Sequence, residues 1–166
     1  MNNQQGFALI ELIAVIVLVG IIASFSTFFL YTGFSGYLNT KNATEGALNA
    51  QMALDRIALE LRNMSDAISY VEDASISYIS EELAGTRTLK YESNSKTIQI
   101  NVNNSDYNLL EDVPSASFKL SVDCQDLDDD GVTDDIAYVD VRFQVGEIGK
   151  EFKTRIFPRN MAQCLP

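Results

Sequence analysis

Residues 7–30 form an almost unbroken apolar run, interrupted near its start by one acid, Glu11. As a helix this run is roughly 36 Å long, enough to cross a bilayer. A charge at the centre of such a helix costs about 2.5–3.5 kcal/mol, less toward its ends. Glu11 lies one turn in from Phe7, so it needs a partner or the reach of the headgroups. A polar, glycine-containing patch follows at residues 31–46, with Gly33 and Gly36 marking a bend. Ala43, Ala47, Ala50, Leu54, Ile57, Leu61 and Met64 then recur at spacings of three and four, which predicts a helix ending near residues 63–65 with one face on a sheet. Leu48, Met52 and Leu59 widen the apolar side. They read as the flank of a broad buried face, or as a surface for a neighbouring subunit.

From Ala67 the period changes to two. The runs AISYV, SISYIS, TRTLKYE, TIQINV, ASFKLSV, IAYVDVRFQV and EFKTRIF read as seven strands, separated by the turn signals GT, SNS, NNSD and GEIG. Short links between successive strands favour antiparallel pairing, and the absence of βαβ alternation excludes a dinucleotide-type fold. The expected fold class is α+β, a long N-terminal helix packed on an antiparallel sheet. After the polar residues 1–6, residues 7–30 are expected to form a membrane helix, 31–65 its amphipathic continuation and 66–166 the sheet domain. A cleaved secretory signal is the weaker reading of the start, because MNNQQ lacks the positive residues of an n-region and the apolar run is too long.

Composition sharpens this. Apart from Glu11, every charged side chain lies at or beyond Lys41, where 12 bases face 22 acids. A domain this acidic is a poor match for nucleic acid or an anionic membrane surface. There is no histidine, which removes the commonest general base and any Cys/His zinc site. No nucleophile elbow, P-loop or G-x-G-x-x-G occurs, and an enzyme is not expected.

The stretch GFALIELIAVIVLVGIIA resembles the N-terminal signature of type IV pilins and of the pseudopilins of type II secretion. A short polar leader ends in Gly6, Phe7 follows, a glutamate stands four residues later, and the apolar run contains Gly20. The resemblance implies cleavage of the Gly6–Phe7 bond by a prepilin peptidase, methylation of the Phe7 amine, and an assembly role for Glu11. In a staggered stack of helices Glu11 would face the Phe7 ammonium of a neighbour, a pairing tolerable when complete and costly when broken. Two features depart from the family: the leader has no Lys or Arg, and the helix has no proline, the first in the chain being Pro114. LDRIALELRN, at residues 54–63, and RIFPRN, at 155–160, are similar to segments of minor pseudopilins of the J type and of related minor pilins. The expected location is therefore the inner membrane, single-pass with a periplasmic head, and then a filament. The expected partners are other pilins or pseudopilins, the peptidase and the membrane.

Export makes the compartment oxidising, so Cys124 and Cys164 most simply form one disulfide worth roughly 3–4 kcal/mol. A C-terminal disulfide is also common in the resembling family, and two free buried thiols are the alternative. Between strand-like runs lies VDCQDLDDDGVTDD, with seven aspartates and no base in residues 123–135. The spacing Asp126, Asp128, Asp130, Gly131, Asp134 matches the start of an EF-hand-type calcium loop, with the Val132 carbonyl as a further ligand. The closing glutamate position falls on Ala137, so Asp135 or Asp123 would have to close the site, as in the shorter loops of thrombospondin-type repeats. A solvated, acidic turn is the alternative. The function this suggests is a filament subunit that primes or caps assembly. The alternative is a membrane-anchored, calcium-binding adhesion module.

Overall fold

The computed structural model describes residues 9–80, 85–146, 149–160 and 162–164. Helix α1 (Leu9–Arg62) is followed by β1 (Met64–Val71), β2 (Ser75–Ser80), β3 (Thr86–Glu92), β4 (Thr97–Val102), β5 (Ser105–Leu110), β6 (Lys119–Gln125), β7 (Asp135–Gln144) and β8 (Glu151–Ile156). The strands pair antiparallel in chain order, as a five-stranded sheet β1-β2-β3-β4-β5 and a three-stranded sheet β6-β7-β8. The chain is α+β, as expected, but its strands divide between two sheets rather than one.

The chain falls into two compact units, Met1–Ala43 and Thr44–Pro166. In the first, α1 is helical throughout, Gly33 and Gly36 included. A glycine weakens a helix by about 1 kcal/mol relative to alanine but does not end it, and no proline is present. Five hydroxyls of this segment bond back to their own helix. Ser24, Ser26, Thr27, Thr32 and Thr40 each donate to the carbonyl four residues back, at 2.9–3.0 Å.

In the second unit α1 buries one stripe. Ala50, Leu54, Ile57 and Leu61 lie in a single hydrophobic cluster with Met64 of β1, Ile76 and Tyr78 of β2, Leu89 of β3, Ile98 of β4, and Leu120, Val141, Phe143 and Ile156 of the smaller sheet. The helix and both sheets therefore share one core. The stripe is shorter than its pattern suggested, since Ala43 is exposed and Ala47 half-buried. Nor is the apolar face broad: Leu48, Met52 and Leu59 are 54–59% exposed. Their angular offset carries them past the edge of the core.

The eighth strand, β5, was not expected. Asn103 and Asn104, both at positive φ, make the two-residue turn that joins it to β4. Such a turn matches the twist of a hairpin and favours asparagine. β5 is an edge strand whose first four residues are exposed, so SDYNLL shows no alternation to read.

The C-terminal tail joins the sheets. Gln163 bridges Asp66 of β1 on one side and Asp135 of β7 on the other. The Ala67 N–H donates to the Gln163 carbonyl at 3.3 Å, and the Ile136 N–H to the Ala162 carbonyl at 2.8 Å. The Arg159 N–H caps the Arg62 carbonyl at the helix end, 2.9 Å away. The segments 54–63 and 155–160, far apart in sequence, thus meet at one backbone bond.

Cys124 and Cys164 are disulfide-bonded. Opposite Asp123 and Cys124 the register skips Ala137 of β7, a bulge of the kind that re-aims side chains, here beside the cysteine that holds the tail. With the cysteines 40 positions apart in sequence, the double substitution Cys124→Ser, Cys164→Ser is expected to cost roughly 3–4 kcal/mol. Thermal melts of oxidised, reduced and mutant chains would check this. Equal stability of all three would show that the tail is held by its backbone bonds alone.

Candidate functional site

Two regions carry candidate chemistry, one in each unit. In the first, Glu11 sits in the opening turn of α1 as described. The proposed cleavage position, Gly6 and Phe7, lies outside the described residues. The neighbours of Glu11 are exposed and apolar: Leu12, Ile13, Val15 and Ile16 are each at least 50% accessible. Among the described residues α1 is the one helix long and apolar enough to cross a membrane, and none of its most apolar window is buried. An exposed surface of this kind has no counterpart in a water-soluble head and fits a membrane anchor.

The second region is the loop between β6 and β7. The two strands pair as a hairpin, so residues 126–134 project from its end. Carboxylate oxygens of Asp126, Asp128 and Asp130 converge within 4.8 Å of one another. The loop is wound around them by Asx-type bonds. Asp126 accepts the N–H of Asp130 at 3.2 Å and of Gly131 at 3.0 Å, Asp128 that of Asp130 at 3.3 Å, and Asp130 that of Val132 at 2.8 Å. Asp129 and Gly131 take positive φ, 63° and 90°, to make the reversal. Each carboxylate has about four lone-pair positions, so these backbone bonds leave acceptor positions free. Hard oxygens from alternate residues are the donor set calcium prefers, and the three residues fit it.

The remaining expected ligands are placed differently. Asp134 is outside the converging group, and its backbone carbonyl accepts the Cys164 N–H. The Val132 N–H is spent on Asp130. Asp135 is buried and accepts the Leu127 N–H at 3.0 Å, which ties the two ends of the loop together. Asp123 accepts the Gln125 amide at 2.7 Å. The Asp128 carboxyl is raised above its ordinary value. Partial shielding from water is the main cause; the bond from the Asp130 N–H opposes it, and the charges of Asp130, Asp135 and Asp126 add to it.

Sequence reasoning missed a buried charge on α1. Glu60, on the core side of α1, is 5% exposed. Arg87 of β3, itself buried, grips it with two bonds: Nε to Oε2 at 2.7 Å and a terminal nitrogen to Oε1 at 2.9 Å. Arg56 reaches the same Oε1 at 2.6 Å from one turn earlier. The Tyr78 hydroxyl of β2 donates to Oε2 at 3.3 Å. Burial, then the Glu60 charge, pushes the Tyr78 hydroxyl well above its ordinary value, so it stays protonated and able to donate. The signal was present: Glu60 stands three residues after Ile57, within the apolar stripe.

A smaller ion pair lies on the outer face of the three-stranded sheet. Arg155 of β8 makes two 2.8 Å bonds to Asp140 of β7 and stacks over the Tyr138 ring at 3.9 Å. The bonds from Arg155 hold the Asp140 carboxyl below its usual range.

The model of the family described as "Prokaryotic N-terminal methylation motif" matches residues 1–27. No curated protein matches the chain, and no solved structure does. The motif, the long apolar helix and the disulfide-bonded sheet domain fit a pilin or pseudopilin, a structural rather than catalytic class.

Proposed function

We propose that this chain is a minor pilin or pseudopilin, processed at Gly6–Phe7, held in the inner membrane by the first part of α1, and built into a periplasmic filament that it primes or caps. The observation that carries this reading is the methylation motif over residues 1–27, with Glu11 the lone charge in an otherwise apolar run. A plain anchor has no use for that carboxylate. The minor role is supported by the sheet domain, by the meeting of LDRIALELRN with RIFPRN at the Arg62–Arg159 bond, and by the absence of proline from the helix.

The direct test is mass spectrometry of the N-terminal peptide from the native host. The expected chain begins at N-methylated Phe7. An intact Met1 would overturn the reading and leave a membrane-anchored, calcium-binding adhesion module.

The β6–β7 loop is assigned a structural calcium ion, held by Asp126, Asp128 and Asp130, with Asp134 and the Val132 carbonyl as further ligands after a small adjustment. The electrostatic sign agrees. A carboxyl raised in the folded state contributes stability below the ordinary carboxylate value and loses it as pH rises through the folded value. At neutral pH the ionised Asp128 is therefore disfavoured in the fold, by partial loss of water first and by its acidic neighbours second, and a bound divalent cation would offset both. Modules of this kind bind with Kd about 0.1–1 mM, so roughly 10 mM calcium should stabilise the head by about 1–3 kcal/mol. The gain should vanish below the carboxylate range and in Asp126→Asn, Asp128→Asn. Calorimetry and melts that show no response to millimolar calcium would remove the assignment.

A further inference from the structure

Five aromatic residues of α1 recur at a strict spacing of three: Phe25, Phe28, Tyr31, Phe34 and Tyr37. All are 64–73% exposed. No charge occurs in the 29 residues from 12 to 40, between Glu11 and Lys41.

The geometry of the ladder restricts its partner. A helix turns about 100° per residue, so a step of three falls about 60° short of a full turn. Four steps carry the aromatics through about 240° of the circumference. A single partner helix packs against one face and would leave most of them uncovered. A surrounding medium covers all of them at once.

The axial distances fit one such medium. The charge-free segment is about 43 Å long as a helix, close to the roughly 40–45 Å of a bilayer with its headgroups. Phenylalanine occupies the lower rungs, and the two tyrosines stand above Phe25 and Phe28. Tyrosine, with an apolar ring and a polar tip, concentrates at the membrane–water boundary. Within the part assigned to hydrocarbon, the hydroxyls of Ser24, Ser26 and Thr27 bond back to their own helix, which lowers the cost of this placement.

We propose that the Phe25–Tyr37 ladder seats α1 at the outer lipid headgroup–acyl boundary and so fixes its depth, with Glu11 at the inner boundary. The inference rests on the membrane reading above and adds the depth and its cause. Hydrocarbon takes about 20 helical residues. Counted back from Leu30, just below Tyr31, the twentieth residue is Glu11. Its carboxylate then reaches the inner headgroups, so the unassembled subunit needs no partner for it.

The chain has no tryptophan, so a single substitution gives one fluorescent reporter. Leu18→Trp, Tyr31→Trp and Tyr37→Trp would each be placed in the full chain in vesicles of phosphatidylcholine and phosphatidylglycerol. Tyr107→Trp, on the exposed edge strand β5, is the solvent reference. Quenching by lipids brominated at different acyl depths is read against quenching by aqueous acrylamide. Position 18 should be quenched by deep bromines, position 31 by shallow ones, and acrylamide should reach position 31 at least several-fold less than position 107. Position 37 should fall between them. In the triple variant Tyr31→Leu, Phe34→Leu, Tyr37→Leu, still apolar and helical, the reporter at position 18 should shift in depth by about one helical turn, roughly 5 Å.

Protection at position 18 with position 31 as exposed as position 107 would overturn the ladder proposal while leaving the anchor intact, and the aromatics would then belong to protein neighbours. An unchanged depth in the triple variant would overturn the depth-setting role. Exposure at position 18 as well would sink the membrane reading itself.

Discussion

Arg87→Ala is expected to destabilise the head by about 3–5 kcal/mol, the usual cost of removing one partner from a buried ion pair. For a domain of this size that lowers the melting temperature by roughly 10–20 °C. The size of the effect comes from what is left behind rather than from what the pair contributes. Glu60 and Arg87 both gave up water to enter the core, and their attraction largely offsets that cost. Without Arg87, the Glu60 carboxylate keeps only Arg56 on one oxygen and a 3.3 Å bond from Tyr78 on the other. Arg56 is half exposed and screened by solvent, so it does not replace the bidentate grip. The double change Glu60→Gln, Arg87→Met removes both charges and should recover much of the loss. Melts of the full chain in detergent, followed by the near-ultraviolet signal of its tyrosines, would test this. A single variant as stable as the wild type would show that water reaches Glu60.

The clasp also shows where sequence reading stops. Its members come from α1, β2 and β3, and only the packing of α1 across the sheet brings residues 56, 60, 78 and 87 together. Periodicity located the helix to within a residue of its end and found seven of the eight described strands. It did so because those elements bury one face, and burial writes alternation into the sequence. β5 buries little and wrote none. The same logic misjudged Leu48, Met52 and Leu59, since apolarity alone does not say whether the covering surface belongs to the same chain. The patch around Gly33 and Gly36 stays helical: weak helix formers lower local propensity, but no competing structure is available to the segment. The acidic loop was legible as a loop, and Asp126, Asp128 and Asp130 meet as their spacing suggested. The different fate of Asp134 depends on the Cys164 tail, whose path no local pattern encodes.

Glu11→Ala should abolish filament assembly and leave the head folded. In the unassembled chain the carboxylate has little to stabilise, since alanine is the better membrane residue and insertion should persist or improve. The cost arises only in the stack. There the neighbour's Phe7 ammonium would be drawn out of water with no counter-charge, a penalty of about 3–5 kcal/mol at each subunit contact. Repeated along a filament, a penalty of that size per contact leaves no stable polymer. The head should not register the change, because its core begins at Ala50 on α1 and residue 11 belongs to the other compact unit. Its melting curve should match wild type to within about 0.5 kcal/mol, as for substitutions away from a core. Glu11→Gln separates charge from shape: it preserves size and hydrogen bonding, cannot neutralise an ammonium, and should also fail to assemble. The readouts are filament yield by electron microscopy, membrane fractionation and a melt of the same sample. Normal filaments from Glu11→Ala would refute the assembly role of the carboxylate. Loss of membrane association together with loss of filaments would mean that Glu11 acts at insertion instead.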